Sequence, residues 1–414
     1  MRILVMGGGI VGVTTAYQLV QDGHEVVLVE RREGAGLETS RGNAGMIAPG
    51  HSFAWSSPQA PMILLKSLFA RNQALRFRPS ADPRLWSWSL LFLRQCTEER
   101  ARLNTLRKHR LCMYSQKMLH ETLAANDLHY DRIGRGILYF HRSEEALDRA
   151  VAHMRILADD GQEIRVLDRA GVVALEPSLA AAKDRIAGGI YCATDETGDC
   201  SKFAAAIASA CQTRGAEFRY GTAILGFETD GDRIAAVQTS QGDLRADLYV
   251  MCLGNDSPIL ARRLGVKLPI YPIKGYSLTI PVGNHGHPPT IGSVDEHNLV
   301  AISRFGDRMR VTATAEFAGY DTRHKPRDFD FMLGVAKDLY PDGADYDRAL
   351  QWAGLRPMTP EGTPIIGPSR YRNLYFNTGQ GHMGWTMSHG SARITADLIA
   401  GKTPAIPLDG MTVR

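Results

Sequence analysis

The chain has 414 residues, 44% of them apolar and 22% charged, with a formal charge of +4. That length allows two domains and a substantial core, while the small charge, without a basic tail or zinc-finger spacing, argues against a nucleic-acid partner. Six cysteines at positions 96, 112, 192, 200, 211 and 252 form no CxxC pair, which fits buried, reduced thiols in a cytoplasmic chain better than a disulfide framework or a metal site.

In chain order, residues 2–6 predict an apolar strand that runs into Gly7-Gly8-Gly9-Ile10-Val11-Gly12. Helical spacing follows over 13–21, and a second strand over 25–29 ends on Glu30. Gly7 suits the tight turn, Gly9 lets backbone approach a pyrophosphate, and Gly12 lets helix and strand pack closely. The pyrophosphate sits on the helix N-terminus, and Glu30 is placed to accept hydrogen bonds from an adenosine ribose. A lone GxGxxG is weak evidence, and the bland alternative is a structural βαβ unit. Here the preceding strand, the following helix and the terminal acid favour a dinucleotide site. Arg31 and Arg32 beside Glu30 leave a small opening for a 2′-phosphate.

Residues 31–50 form a loop rich in Gly, Ser and Asn, and a loop of this length is usually functional. Thr39, Ser40 and Asn43 can donate to phosphate oxygens, Gly42 and Gly45 let backbone approach a flat ring, and Ala44, Met46 and Ile47 belong to the same cofactor-facing stretch. Residues 61–126 predict helices with apolar stripes. Within them, 61–70 and 85–93, the latter with Trp86, Trp88 and Phe92 beside Arg84 and Arg94, could lie on a membrane surface. A core helix is the commoner explanation, and no run reaches the roughly 18 apolar residues that span a bilayer.

Residues 134–140 and 188–193 read as strands, 142–160 and 201–213 as helices, with Gly215 as a helix stop. Residues 217–224, 234–239 and 247–253 read as strands returning to the first domain, with Ile224 and Gly254 passing near the cofactor. Alternating runs at 269–281, 298–304 and 308–315 predict an antiparallel sheet, and 328–339 an amphipathic helix. Residues 374–377 read as a strand leading into Gly379-Gln380-Gly381-His382-Met383-Gly384, a second GxGxxG, and a helix from Trp385 and Thr386 to about residue 400. Too little chain remains for a second nucleotide fold, so this turn completes the first domain and brings another helix N-terminus to the same cofactor. A positive helix end suits FAD, whose pyrimidine gains negative charge on reduction, better than NAD.

With MGGGIVGVTTAYQL, LETSRGNAGMIAPG, ATDETGDC, YPIKGYSLT, GLRPMTPEGTPIIG and NTGQGHMGWTM in hand, the chain resembles the FAD-dependent D-amino acid dehydrogenases of the D-amino acid oxidase and glycine oxidase superfamily. The resemblance runs from Met1 to about Pro404. It implies an α/β fold with a Rossmann-type FAD-binding domain at 1–55, 145–262 and 350–414. A second, α+β substrate domain built on an antiparallel sheet would take 56–144 and 263–349. It implies oxidative deamination of a D-amino acid to a 2-oxo acid and ammonia, by hydride transfer from Cα to flavin N5. Electrons would pass to a quinone or another acceptor, with peripheral contact at the cytoplasmic face of a membrane. Arg356, in GLRP, would hold the substrate carboxylate, and a guanidinium fork suits that planar group; the alternative is a structural ion pair. Tyr276 is a candidate second donor to that carboxylate or a core residue. His51 and His382 stand where the relatives usually carry Tyr and Thr, and Met383 where they carry Leu, so these positions bear on the preferred amino acid. An oxidase of the same fold and a flavin-binding protein without turnover are the competing readings.

Overall fold

The computed structural model describes residues 1–67, 74–78 and 80–413. Four runs with the apolar pattern of buried strands, Arg2–Met6, Glu25–Val29, Leu248–Met251 and Leu374–Thr378, form the centre of a six-stranded sheet. Glu217–Arg219 closes one edge in parallel, and Ile365–Pro368 closes the other antiparallel to Leu374–Thr378. The first strand lies between Leu248–Met251 and Glu25–Val29, parallel to both. Strand order reverses there, which opens a crevice at the strands' carboxyl ends. The helices Ile10–Gln21, Cys200–Thr213 and Gly384–Ile399 pack on one another over this sheet, and Trp385, Phe203 and Val13 fill the layer between.

A nine-stranded mixed sheet forms the second body. Tyr271–Pro281, Val300–Phe305 and Arg308–Phe317 match the antiparallel runs expected from the alternating pattern. The sheet also takes in Ile137–His141, Arg165–Asp168, Gly188–Cys192 and Leu350–Met358. The strands Arg165–Asp168, Gly188–Cys192 and Leu350–Met358, expected in the cofactor domain, therefore hydrogen-bond into the substrate sheet instead. Of the runs 217–224 and 234–239, expected to rejoin the first sheet, Glu217–Arg219 does so, whereas Ile224–Asp230 and Arg233–Thr239 pair with each other as a two-stranded ribbon. A short amphipathic strand and its hairpin partner cannot be told from a sheet strand by periodicity alone.

The helical stretch resolves into Ala60–Ser67, Pro83–Gln95 and Glu98–Ala124, with the strand Leu75–Phe77 between the first two. Residues 68–70 of the first membrane candidate lie outside the described residues. Asp82 caps Pro83–Gln95 by accepting from Arg84 N, and Pro83 occupies the first turn, where its missing N–H costs nothing. This helix buries Leu85, Trp88 and Phe92 against Ile273, Ala315 and Phe317, behind the wall that faces the cofactor domain.

Candidate active site

The opening strand delivers the chain to Gly7, whose φ of +104° and tight packing on Cys252 suit glycine alone. A Cβ on Gly12 would lie 1.8 Å from the Gly7 carbonyl oxygen, so the helix sits directly on the turn. Gly9 is different: a Cβ there would meet nothing nearer than Ser40 Oγ at 3.7 Å. Its missing side chain leaves room for something other than protein. The helix Ile10–Gln21 has no cap from the Gly9 side of the turn, and Ile10 N donates to Ser40 Oγ at 3.1 Å, whose hydroxyl also meets the Cys200 thiol. Its remaining first-turn amides and positive dipole end favour an anion.

The Glu30 carboxylate accepts from Gly8 N at 2.6 Å and Arg32 N at 2.8 Å. Burial raises its pKa, partly offset by those two amides. Arg31 is held by Glu38 and Asp256, and Arg32 by Glu38. Both guanidinium groups are thus committed, which removes the opening for a 2′-phosphate. The cleft holds about 670 Å³; Gly7, Gly9, Ile10, Val11, Glu30, Arg31, Thr39, Ser40, Ile224, Gly254, Gly381 and Gly384 line it. An uncapped helix start, an open backbone and a carboxylate at the end of the next strand match the pyrophosphate and ribose of FAD in charge and in order.

This cleft continues into a second cavity of about 290 Å³ through Ile10, Thr39, Ser40, Trp352, Gly354, Gly381 and Gly384. Its walls come from Asn43, Ala44, Met46, Met383, Trp385 and Thr386 on one side and from Tyr276, Thr314 and Arg356 on the sheet, with His51, Trp55 and His382 at the remaining side. Gly384–Ile399 starts here without a side-chain cap, so a second positive helix end opens on this cavity. Gly12, Gly45, Ile47 and Gly379 are at neither wall and act from behind it.

The loop departs from its sequence reading in detail. Thr39 donates to Leu355 O at 2.8 Å, so one of the three expected phosphate donors holds protein instead, while Asn43 accepts from Gly45 N at 2.6 Å through Oδ1. The flat rings beside Gly42 and Gly45 belong to the protein: a Cβ would lie 1.9 Å from Trp352 Cε3 and 2.1 Å from Phe305 Cζ respectively. Arg310, unmarked by any motif, donates from Nη1 to Arg41 O at 3.0 Å and Asn43 O at 2.6 Å, which fastens the cofactor loop to the substrate sheet.

Arg356 lies across Gly275, where a Cβ would come within 2.6 Å of the guanidinium carbon. Its Nη1 donates to Thr314 O at 2.9 Å, and no carboxylate pairs with it among the described residues. Burial lowers its pKa to about 10, so it remains charged at neutral pH. The structural ion pair that was the alternative for this residue is therefore missing from its surroundings. Tyr276 shares the wall, but its hydroxyl donates to the buried Glu316, which also meets Arg78.

His382 stacks on Trp55 with ring centroids 4.7 Å apart, and its Nε2 is buried without a hydrogen-bond partner among the described residues. Burial, then the nearby Lys108, His51 and Arg356, push its pKa well below the usual histidine range, so the ring is neutral. His51 is the opposite case. Burial lowers its pKa, but Glu296, 3.1 Å from Nε2, more than offsets that and the net shift is upward. Lys108, also unmarked in the sequence, is buried with its ammonium on Phe53 O at 2.8 Å, and burial lowers its pKa to about 8.

The family described as FAD dependent oxidoreductase matches residues 2–398, over a fold and a cleft that fit that cofactor. The chain belongs to the FAD-dependent oxidoreductase family. It is 45% identical over 412 residues to D-amino acid dehydrogenase 2 of Mesorhizobium japonicum, covering 99% of each chain. It is also 45% identical over 406 residues to D-amino acid dehydrogenase of Granulibacter bethesdensis, covering 98% of this chain and 97% of that one. Among solved structures, glycine oxidase from Geobacillus kaustophilus superposes with a TM-score of 0.76 at 22% identity, over 100% of this chain and 98% of that one. Iminodiacetate oxidase from Chelativorans sp. superposes with a TM-score of 0.75 at 19% identity, over 100% and 99%. At such identities the structural likeness speaks for the fold: an FAD-binding Rossmann-type domain with a second, sheet-based domain.

Proposed function

We propose that this enzyme oxidatively deaminates D-amino acids at bound FAD and passes the electrons to an acceptor other than oxygen. The observation that carries the reading is Arg356, a charged guanidinium in a cavity wall without a carboxylate of its own among the described residues. Full-length relatives named D-amino acid dehydrogenase support the substrate class and the acceptor type. Glu30, Gly9 and the start of Ile10–Gln21 would hold the ADP half of the cofactor, and the start of Gly384–Ile399 would face the flavin. Bound FAD would supply the hydride acceptor for oxidation of the substrate Cα–N bond to an imine, which water would hydrolyse to a 2-oxo acid and ammonia.

The protein's own contribution is placement. Arg356 fixes the carboxylate, while Ala301, Ala313, Val294 and Trp55 offer an apolar wall for the side chain. His382 lines the same cavity, and its lowered pKa keeps the ring neutral beside the substrate, so it adds no charge of its own there. A quinone as acceptor is supported by a face on the far side of the substrate wall. Met62, Ile63 and Leu65 of Ala60–Ser67, and Trp86, Leu90 and Leu93 of Pro83–Gln95, are exposed large apolar residues. No helix among the described residues is long and apolar enough to cross a membrane, so this face would rest on the surface of one.

Replacement of Arg356 by Leu tests the reading. Losing a bidentate charged contact of on the order of 3 kcal/mol predicts at least about a hundredfold loss in kcat/KM for D-alanine, with FAD content unchanged. Ethylamine, which lacks the carboxylate, should be a very poor substrate of the native enzyme and equally poor for the variant. If Arg356→Leu keeps its full preference for D-alanine, the carboxylate is bound elsewhere.

A further inference from the structure

Along the pairing of Tyr271–Pro281 with Arg308–Phe317, Gly275 lies opposite Ala315 and Tyr276 opposite Ala313. Thr314 is thus an extra residue, a β-bulge in the wall of the second cavity. It has φ 63°, a left-handed conformation that is an outlier for a β-branched side chain. Its carbonyl accepts from Arg356 Nη1 at 2.9 Å. The residue is 4% exposed, and its buried Oγ1 has no hydrogen-bond partner among the described residues. Glycine or asparagine would hold the bulge with less strain, and valine would fill the same volume without an orphaned hydroxyl. Threonine carries both costs, and they are recovered only when Oγ1 meets a polar group in the cavity.

We infer that the Thr314 hydroxyl donates a hydrogen bond to the substrate carboxylate, beside the Arg356 guanidinium. This rests on the functional reading above and adds a second residue to its carboxylate clamp. Because the carbonyl of Thr314 is bound to Arg356, the bulge brings guanidinium and hydroxyl to one place on the wall. A carboxylate has lone pairs enough for both, whereas an ammonium would be repelled by the neighbouring cation. The bulge then serves two purposes with one residue: backbone to aim the arginine, side chain to extend it.

Thr314→Ser and Thr314→Ala both remove the β-branch, so they relieve the same strain and differ in the hydroxyl. Thr314→Val, which keeps the shape, is a further hydroxyl-free variant in case the alanine variant folds poorly. The holoenzymes are assayed with D-alanine and a dye acceptor, with propanoate and ethylamine as competitive inhibitors that carry only the carboxylate or only the amine. Loss of the hydroxyl should raise Ki for propanoate by about tenfold, as expected for a hydrogen bond to a charged acceptor. The serine variant should stay near the native value, and Ki for ethylamine should not move. An unchanged propanoate Ki in the hydroxyl-free variants overturns the inference, as does an equal loss in the serine variant or an effect on ethylamine instead. A native enzyme that oxidises no D-amino acid overturns the functional reading and the inference together, whereas normal D-alanine turnover with an unmoved propanoate Ki overturns the inference alone.

Discussion

Asp195 is fully buried, with the Tyr139 hydroxyl on one carboxylate oxygen at 2.7 Å and Gly50 N on the other at 3.2 Å. Burial raises its pKa to about 7, against the lowering effect of those bonds and of His51. A folded pKa above the unfolded value near 3.9 means that the native state holds the proton more tightly, so this contribution to stability is complete below about pH 4 and is lost as pH rises through 7. Asp195→Asn removes the titration. Chemical denaturation of both proteins should show the variant gaining on the native chain by on the order of 2 kcal/mol between pH 5 and pH 8. A difference that stays constant with pH would mean that Asp195 is ionised throughout. Residues of this kind were not visible in the sequence. Glu30 and Arg356 were visible, Glu30 at the end of the second strand and Arg356 through the family resemblance, and the tasks proposed for them follow from their charges. Thr314, Trp352 and Arg310 were not, since their roles depend on a bulge, on a glycine distant in sequence, and on carbonyls of another domain.

Of the local elements, the first glycine turn was legible almost residue by residue, because a turn, a close approach and a helix start each restrict the choice of residue. The structure separates its glycines by what their missing side chains meet. A Cβ on Gly12 would collide with the Gly7 carbonyl oxygen, whereas one on Gly9 would touch only Ser40 at 3.7 Å. Gly12→Ala should therefore fail to give folded protein, while Gly9→Ala should fold with native circular dichroism and yet retain little FAD. Should Gly9→Ala bind FAD normally, the space beside Gly9 is not where the pyrophosphate lies. The strand Leu350–Met358 was harder to assign. Its glycine and proline obscure the period of two, and nothing local reveals that it pairs with Tyr271–Pro281 rather than with its sequence neighbours. The same difficulty applied to Ile224–Asp230 and Arg233–Thr239, whose hairpin stands apart from both sheets.

In the whole molecule, the strand-order reversal of the six-stranded sheet supplies the cofactor cleft and the nine-stranded sheet supplies the wall with Arg356. The two cavities meet at Trp352 and the second glycine turn. Behind that wall, Pro83–Gln95 turns Trp86 and Leu90 outward, 49% and 62% exposed, while Leu85, Trp88 and Phe92 brace the sheet. If that face rests on a membrane, Trp86→Ser with Leu90→Ser should lower binding to anionic liposomes at least about tenfold, since each inserted side chain adds about 1.5–3 kcal/mol. Thermal stability should hardly change, because neither side chain is in the core. Sedimentation that is absent in the native protein, or equal in the variant, would leave these residues without that role. The arrangement also implies a hand. With the carboxylate fixed on Arg356 and the side chain on the apolar wall, one enantiomer alone can aim its α-hydrogen at the flavin. The most direct measurement is anaerobic mixing of the holoenzyme with D-alanine or L-alanine while the bound flavin absorbance is followed. Bleaching by the D-enantiomer alone is the expected result; bleaching by the L-enantiomer, or by no member of a panel of D-amino acids, would contradict the account.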